Sequence, residues 1–154
     1  MINKIDLCGA WELALDYDCK GENIQYSEYI NLPNTTSNAR KGKPNNKRET
    51  GYLTDTYKFE GWAWFRRMID TSAMDCSALE LFLERTRITE VFVDGRSLGV
   101  QESFVAPHVY DLTEYIGTGE HEHVIKVANV GYKTGGGHMT SPDTRPTGTA
   151  LSAG

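Results

Sequence analysis

Residues 79–95 constrain the fold more than any other part of the chain. Leu79, Leu81 and Leu83 alternate with Glu80, Phe82 and Glu84, the period of two that puts successive side chains on opposite faces of a half-buried strand. Thr89-Glu90-Val91-Phe92-Val93 follows and stops at Asp94-Gly95, a dipeptide suited to the tight turn of a β-hairpin. Residues 11–17, 26–32, 53–59, 62–69 and 124–130 also read as strands, with Ile125 and Val127 on one face of the last. Helical evidence is thin. Asp111-Leu112-Thr113-Glu114 resembles a capping box, but a single turn follows before Gly117. Many short strands with Gly-rich and Asn-rich turns predict an all-β sandwich or barrel. A parallel α/β fold is excluded for want of crossover helices. No internal repeat or low-complexity stretch interrupts the pattern.

With 154 residues the chain fits one domain, and its 39% hydrophobic and 24% charged residues are an ordinary globular balance. No apolar run approaches the roughly 18 residues of a membrane span. Met1-Ile2-Asn3-Lys4 has no apolar segment behind it, so it is not a signal peptide. A removed signal leaves no trace, and a bacterial periplasmic or cytoplasmic location both stay open. A net charge of −5 argues against nucleic acid, whose phosphates need concentrated positive charge. The basic stretch at residues 40–48 is interspersed with Gly, Pro and Asn and reads as a solvated loop. Cys8, Cys19 and Cys76 have neither a paired count nor a Cys-x-x-Cys spacing, so they read as buried free thiols.

Few segments carry chemistry. His121-Glu122-His123 sets two imidazoles on one face of a strand, but no third ligand accompanies them, and the reading is a solvent-facing pair at a strand start. Gly135-Gly136-Gly137 lacks the Lys-Ser/Thr of a phosphate loop and reads as a turn. No cofactor or metal site is expected. In Trp62-Ala63-Trp64-Phe65-Arg66-Arg67, alternation separates Trp62, Trp64 and Arg66 from Ala63, Phe65 and Arg67. Both faces begin apolar, so one arginine is expected to point inward and find a carboxylate, with Glu80 and Glu84 as candidates. This strand reads as core, the alternative being an aromatic face that stacks on a sugar.

The order of landmarks resembles the amino-terminal sugar-binding domain of family 2 glycoside hydrolases, the β-galactosidase family. Gly9-Ala10-Trp11 is similar to its opening Gly-x-Trp, and Leu32-Pro33-Asn34-Thr35 to its Leu-Pro-Gly-Thr turn. Tyr57-x-x-Glu60-Gly61-Trp62-Ala63-Trp64-Phe65-Arg66-Arg67 resembles the family's Tyr-x-x-Glu-Gly-x-Ala-Trp-Tyr-Arg-Arg strand. Leu81 to Gly95, Leu98-Gly99, Ser103-Phe104, Tyr110-Asp111-Leu112-Thr113 and the loop from Gly137 to Thr144 continue the match in order.

The resemblance implies a jelly-roll β-sandwich, galactose-binding-domain-like, over residues 1–147. It also implies packing on a following sandwich and a (β/α)8 barrel of the same polypeptide, the barrel carrying both catalytic glutamates, one of them in an Asn-Glu dipeptide. This chain contains no Asn-Glu, and a barrel takes about 250 residues, so no catalytic residue is assigned to it. The implied sugar-contact candidates are Asp143 and His138 in the loop before the exit motif, with Trp62, Trp64 and Arg67. Residues 40–52 are a further candidate wall of the sugar pocket. Partners are therefore carbohydrate and the domains that follow, with no nucleic acid and no membrane.

After Thr147 the family pattern continues Trp-Asn-Gly-Ile-Ile-Gly-Arg, whereas this chain reads Gly148-Thr149-Ala150-Leu151-Ser152-Ala153-Gly154. Written as TGG AAC GGC ATT ATC GGC CGG, the expected codons lose their first T to become GGA ACG GCA TTA TCG GCC GG. That frame encodes Gly-Thr-Ala-Leu-Ser-Ala and opens a Gly codon. Residues 148–154 are therefore expected to be an out-of-frame tail without order. The alternatives are a natural divergent tail or an engineered scar, and for the whole chain a free-standing carbohydrate-binding module or a structural sandwich.

Overall fold

The computed structural model describes residues 4–47, 55–103 and 105–129 and the backbone of 152–153. No described residue lies in a helix. A six-stranded antiparallel sheet has the order β2 (Glu28–Leu32), β1 (Gly9–Asp16), β5 (Gly61–Asp70), β10 (Glu120–Asn129), β7 (Ile88–Val93), β8 (Arg96–Glu102). A smaller sheet contains β11 (Ser152–Ala153), β6 (Glu80–Glu84) and β9 (His108–Asp111), and β3 (Lys43–Pro44) pairs with β4 (Tyr57–Lys58). The expected all-β sandwich is what forms.

The two longest strands, β5 and β10, pair from Gly61↔Asn129 to Asp70↔Glu120 and form the middle of the large sheet. Gly61 starts β5 because no side chain fits there: a Cβ would lie 2.3 Å from the Asp16 carbonyl oxygen, and φ is 152°. At the other hairpin, Asp94 (φ 48°) and Gly95 (φ 78°) close β7 onto β8 with the paired positive angles of a type I′ turn.

Inward-facing residues alternate as the pattern predicts. Trp11, Leu13, Ala63, Phe65, Val91, Val93, Ile125 and Val127 of the large sheet meet Leu81, Leu83 and Tyr110 of the small one, all nearly free of solvent. Fully burying side chains of this size contributes about 1.5–3 kcal/mol each. One polar network lies inside this layer. The Tyr110 hydroxyl donates to the Thr89 carbonyl (2.8 Å), and the Thr89 hydroxyl lies 2.9 Å from the Tyr110 oxygen and 2.5 Å from His108 Nδ1. Burial pushes His108 below the ordinary imidazole range, so the ring is neutral inside the core.

Several expectations change at element ends. The strand expected at 26–32 begins only at Glu28, and of 53–59 the described strand is Tyr57–Lys58. Strands β8 and β9 were not legible, because β8 is mostly exposed and reads Arg-Ser-Leu-Gly-Val-Gln-Glu, with little alternation. The capping-box residues form a turn and no helix: Asp111 accepts from the Thr113 N–H (2.9 Å), and Tyr115 and Ile116 both donate to the Leu112 carbonyl. Cys8 is exposed, and Cys19 and Cys76 half-buried, so the thiols are free but not interior.

Candidate functional site on the outer face of the large sheet

Ala63 and Phe65 of β5 face the core, which turns Trp62, Trp64 and Arg66 to the outer face. Cross-strand register then decides their neighbours. Arg66 lies opposite Glu12 on β1, and Trp64 opposite Lys126 on β10. Lys126 in turn lies opposite Glu90 on β7.

Arg66 grips Glu12 with two parallel bonds, Nε to Oε2 at 2.6 Å and Nη2 to Oε1 at 3.1 Å, and its Nη1 lies 3.9 Å from Glu122. The Tyr26 ring covers the guanidinium, 4.1 Å from centroid to Cζ. The Arg66 hydrogen bond holds the Glu12 carboxyl below the usual range, and burial pushes the Tyr26 phenol up to about 12. Lys126 pairs with Glu90 while its Nζ lies 4.4 Å from the centre of Trp62 and 5.5 Å from that of Trp64. Glu90 also accepts from the Ser97 hydroxyl (2.8 Å), and Trp64 stacks on Phe92 at 5.9 Å. The loop after β1 lies over this assembly, since a Cβ on Gly21 would meet Trp64 at 3.4 Å and Trp62 at 3.6 Å.

Two expectations are corrected here. The arginine with a carboxylate partner is the outward one, and the partner is Glu12; Glu80 and Glu84 belong to the other sheet. Arg67, on the inner side, meets carbonyls instead: its Nη1 donates to Leu7 (3.0 Å) and Cys8 (3.1 Å), and it lies over Trp11. Backbone oxygens satisfy the charge there without a carboxylate. The structure therefore brings Trp62 and Trp64 together and sets Arg67 apart from them.

The histidine pair is not solvent-facing. His123 is 2% exposed, and burial pushes its imidazole below the ordinary range. The His121 side chain is 17% exposed, with Nδ1 2.6 Å from Asp94 and Nε2 3.2 Å from the Gly117 carbonyl. No group of three metal-ligating side chains occurs among the described residues. His138, Asp143 and the triple glycine at 135–137 lie outside the described residues, as do all of 148–154 except the backbone of β11.

Glu12, Glu90, Glu122, Lys126 and Tyr26 escaped the sequence reading. Their only local signal is a charge alternating with apolar residues along β1, β7 and β10; what joins them is register between strands far apart in sequence. Chemically the face is quiet. Glu12, Glu90, Arg66 and Lys126 neutralise one another, and the covered tryptophans pack within the domain. Among the described carboxylates Asp55 is the one pushed up, by burial, with the Ser37 hydroxyl and Lys58 opposing the shift. Glycoside hydrolysis needs a second carboxylate working with a raised one, and nothing described supplies that pair.

No protein-family model matches the chain, and no curated protein matches it. Solved structures do. Lactobacillus rhamnosus β-glucuronidase superposes with TM-score 0.62 at 20% identity, covering 84% of this chain and 22% of that one. Ruminococcus gnavus β-glucuronidase in complex with C6-substituted uronic isofagomine gives TM-score 0.64 at 14% identity, covering 99% and 27%. A β-glycosidase from Bacteroides vulgatus gives 0.59 at 24% identity, covering 81% and 17%. The chain thus spans about a quarter or less of the proteins it resembles, and its fold is the β-sandwich that these glycosidases carry within a longer chain.

Proposed function

We propose that this chain is the non-catalytic amino-terminal β-sandwich of a β-galactosidase- or β-glucuronidase-like glycoside hydrolase, a protein that cleaves O-glycosidic bonds. The observation that carries the reading is the asymmetry of coverage: 81–99% of this chain against 17–27% of the matched glycosidases. A partner in hydrolysis is then the rest of the polypeptide, a following sandwich and a (β/α)8 barrel of about 250 residues. The ion-paired carboxylates of the outer face fit a domain that does not perform the chemistry. Because Trp62, Trp64 and Arg67 are engaged within the domain, sugar contact falls to Asp143 and His138. Whether the sugar is a galactoside, a glucuronide or a mannoside is set by the barrel.

The test is the nucleotide sequence of the source gene from codon 140 to well past codon 154. Restoring one base near codon 148 is expected to open a frame that reads Trp-Asn-Gly and runs into a barrel with an Asn-Glu dipeptide. A gene with no such domain in any downstream frame overturns this reading. Saturable binding of a galactoside by this chain alone would then establish the free-standing binding module in its place.

A further inference from the structure

Among the described residues, β6 is paired along its length on one edge only. On that edge β9 meets Glu80, Leu81, Phe82 and Leu83. On the other, β11 meets Leu83 and Glu84, and no described strand continues beside Glu80 to Phe82. The alternation of an antiparallel ladder says which backbone groups are left there. The Leu79 carbonyl accepts from the Leu112 N–H at 2.8 Å, so Leu79, Leu81 and Leu83 turn their backbone groups towards β9. Glu80, Phe82 and Glu84 turn theirs to the opposite edge, where Glu84 faces Ser152 of β11.

Glu80, Leu81 and Phe82 also line a cleft of about 640 Å³, whose other walls include Ile69 of the large sheet and Ile5 and Leu7 ahead of β1. The lining mixes these apolar side chains with the carboxylates of Asp75, Glu80 and Asp111. A small apolar ligand would leave the N–H and C=O groups of Glu80 and Phe82 without partners. An extended peptide answers them, because its backbone repeats the donors and acceptors of a ladder at the strand spacing.

β11 fixes the direction and register of such a strand. It runs antiparallel to β6, with Ser152 opposite Glu84 and Ala153 opposite Leu83. A strand on the same line passes Phe82, Leu81 and Glu80 in turn. Cross-strand pairs share a face. The residue opposite Leu81, which is 3% exposed, therefore turns inward and has to be apolar. The residue opposite Glu80 turns outward. There Glu80 already faces Asp111 across the β6–β9 ladder, a pair of like charges. Asp111 accepts from the Thr113 N–H at 2.9 Å, which favours its ionised form. A cation beside Glu80 relieves that repulsion.

We propose that the open edge of β6 binds an extended peptide as an added antiparallel strand, with an aliphatic residue opposite Leu81 and a basic one opposite Glu80. The site does not rest on the glycosidase reading and lies on the other side of the large sheet from the Trp62–Arg66 face.

The probe is the capped peptide acetyl-Thr-Val-Lys-Val-Thr-amide, titrated into the whole chain at neutral pH. Its first Thr falls opposite Phe82, its first Val opposite Leu81 and its Lys opposite Glu80. The comparison peptide is N-methylated at that Thr and at the Lys, which removes the two N–H donors that face β6 and keeps every side chain. Saturable slowing of amide hydrogen exchange is expected at Glu80 and Phe82, with NMR shifts of the Leu81 methyl groups. The N-methylated peptide should bind at least about tenfold more weakly, the worth of one or two net hydrogen bonds. The proposal is overturned if exchange at Glu80 and Phe82 does not change. It is equally overturned if the N-methylated peptide binds as tightly, since charge alone would then account for binding. Both readouts use the unaltered chain, so neither depends on a variant folding.

Discussion

The side chain of Gln101 hydrogen-bonds both backbone groups of Val109, its Oε1 accepting from the N–H at 3.1 Å and its Nε2 donating to the C=O at 2.6 Å. A carboxamide has the donor and acceptor of a peptide group, so Gln101 acts as one more rung of backbone. It joins β8, the edge of the large sheet, to β9, the edge of the small one. Replacing Gln101 with Leu removes both bonds and is expected to lower stability by about 1–2 kcal/mol, the partners being partly solvated. Gln101→Glu keeps the acceptor and sets a carboxylate against the Val109 oxygen, so it should be no better. Denaturant midpoints that fall with an unchanged m-value would bear this out; unchanged midpoints would mean that the bridge is dispensable.

Arg66 and Glu12 are each about a third exposed, at 34% and 31%, so their pair is discounted for screening to about 1 kcal/mol. Arg66→Lys should recover less than half of the loss in Arg66→Ala, because an ammonium cannot make the two parallel bonds. The sign with pH follows from the lowered Glu12 value. The pair's contribution is present above the ordinary carboxylate range and disappears as pH falls through the lower folded value. Thermal melts of Glu12→Gln and the unaltered chain should therefore converge in acid and differ at neutral pH.

His108 and His123 carry a second acid sensitivity, at a different pH. Both are pushed below the unperturbed imidazole value of about 6.5, by burial in each case. The unfolded chain takes up their protons first, so stability is full above that value and falls as pH drops towards the folded ones. Each histidine contributes up to about 1.4 kcal/mol per pH unit in that window. His123→Leu should flatten the slope of stability against pH as the pH falls below about 6.5. A slope identical to that of the unaltered chain would show that His123 keeps its ordinary titration.

Two glycines separate steric need from conformational need. Gly61→Ala drives a methyl to 2.3 Å from the Asp16 carbonyl oxygen, and neither strand can retreat without breaking pairs, so a loss above about 3 kcal/mol is expected. At Gly95 (φ 78°) a Cβ meets nothing within 4 Å, and Gly95→Ala should lose only the turn's conformational term, about 1–2 kcal/mol. Equal losses in the two variants, measured by chemical denaturation, would refute this division.

Local pattern carried the fold class. Alternation through Leu79, Leu81 and Leu83, the Asp94-Gly95 turn and the missing helix periodicity each follow from neighbouring residues, since a strand's faces and a turn's φ angles are local properties. The motifs around Trp11 and from Tyr57 to Arg67 pointed in the same way to a glycosidase sandwich. Local pattern also separated Trp64 and Arg66 from Phe65 and Arg67, but it could not say which set faced the core. That choice was made when β5 took its place between β1 and β10 and the small sheet closed over Phe65. The same packing brought Glu12 to Arg66 across 54 residues and Glu90 to Lys126 across 36. It buried His123 at the mouth of a strand that reads as exposed, and it set Gln101 beside Val109. Register and sheet closure are sums over contacts distant in the chain, so only the tertiary structure decides which charges meet and which histidine loses its water.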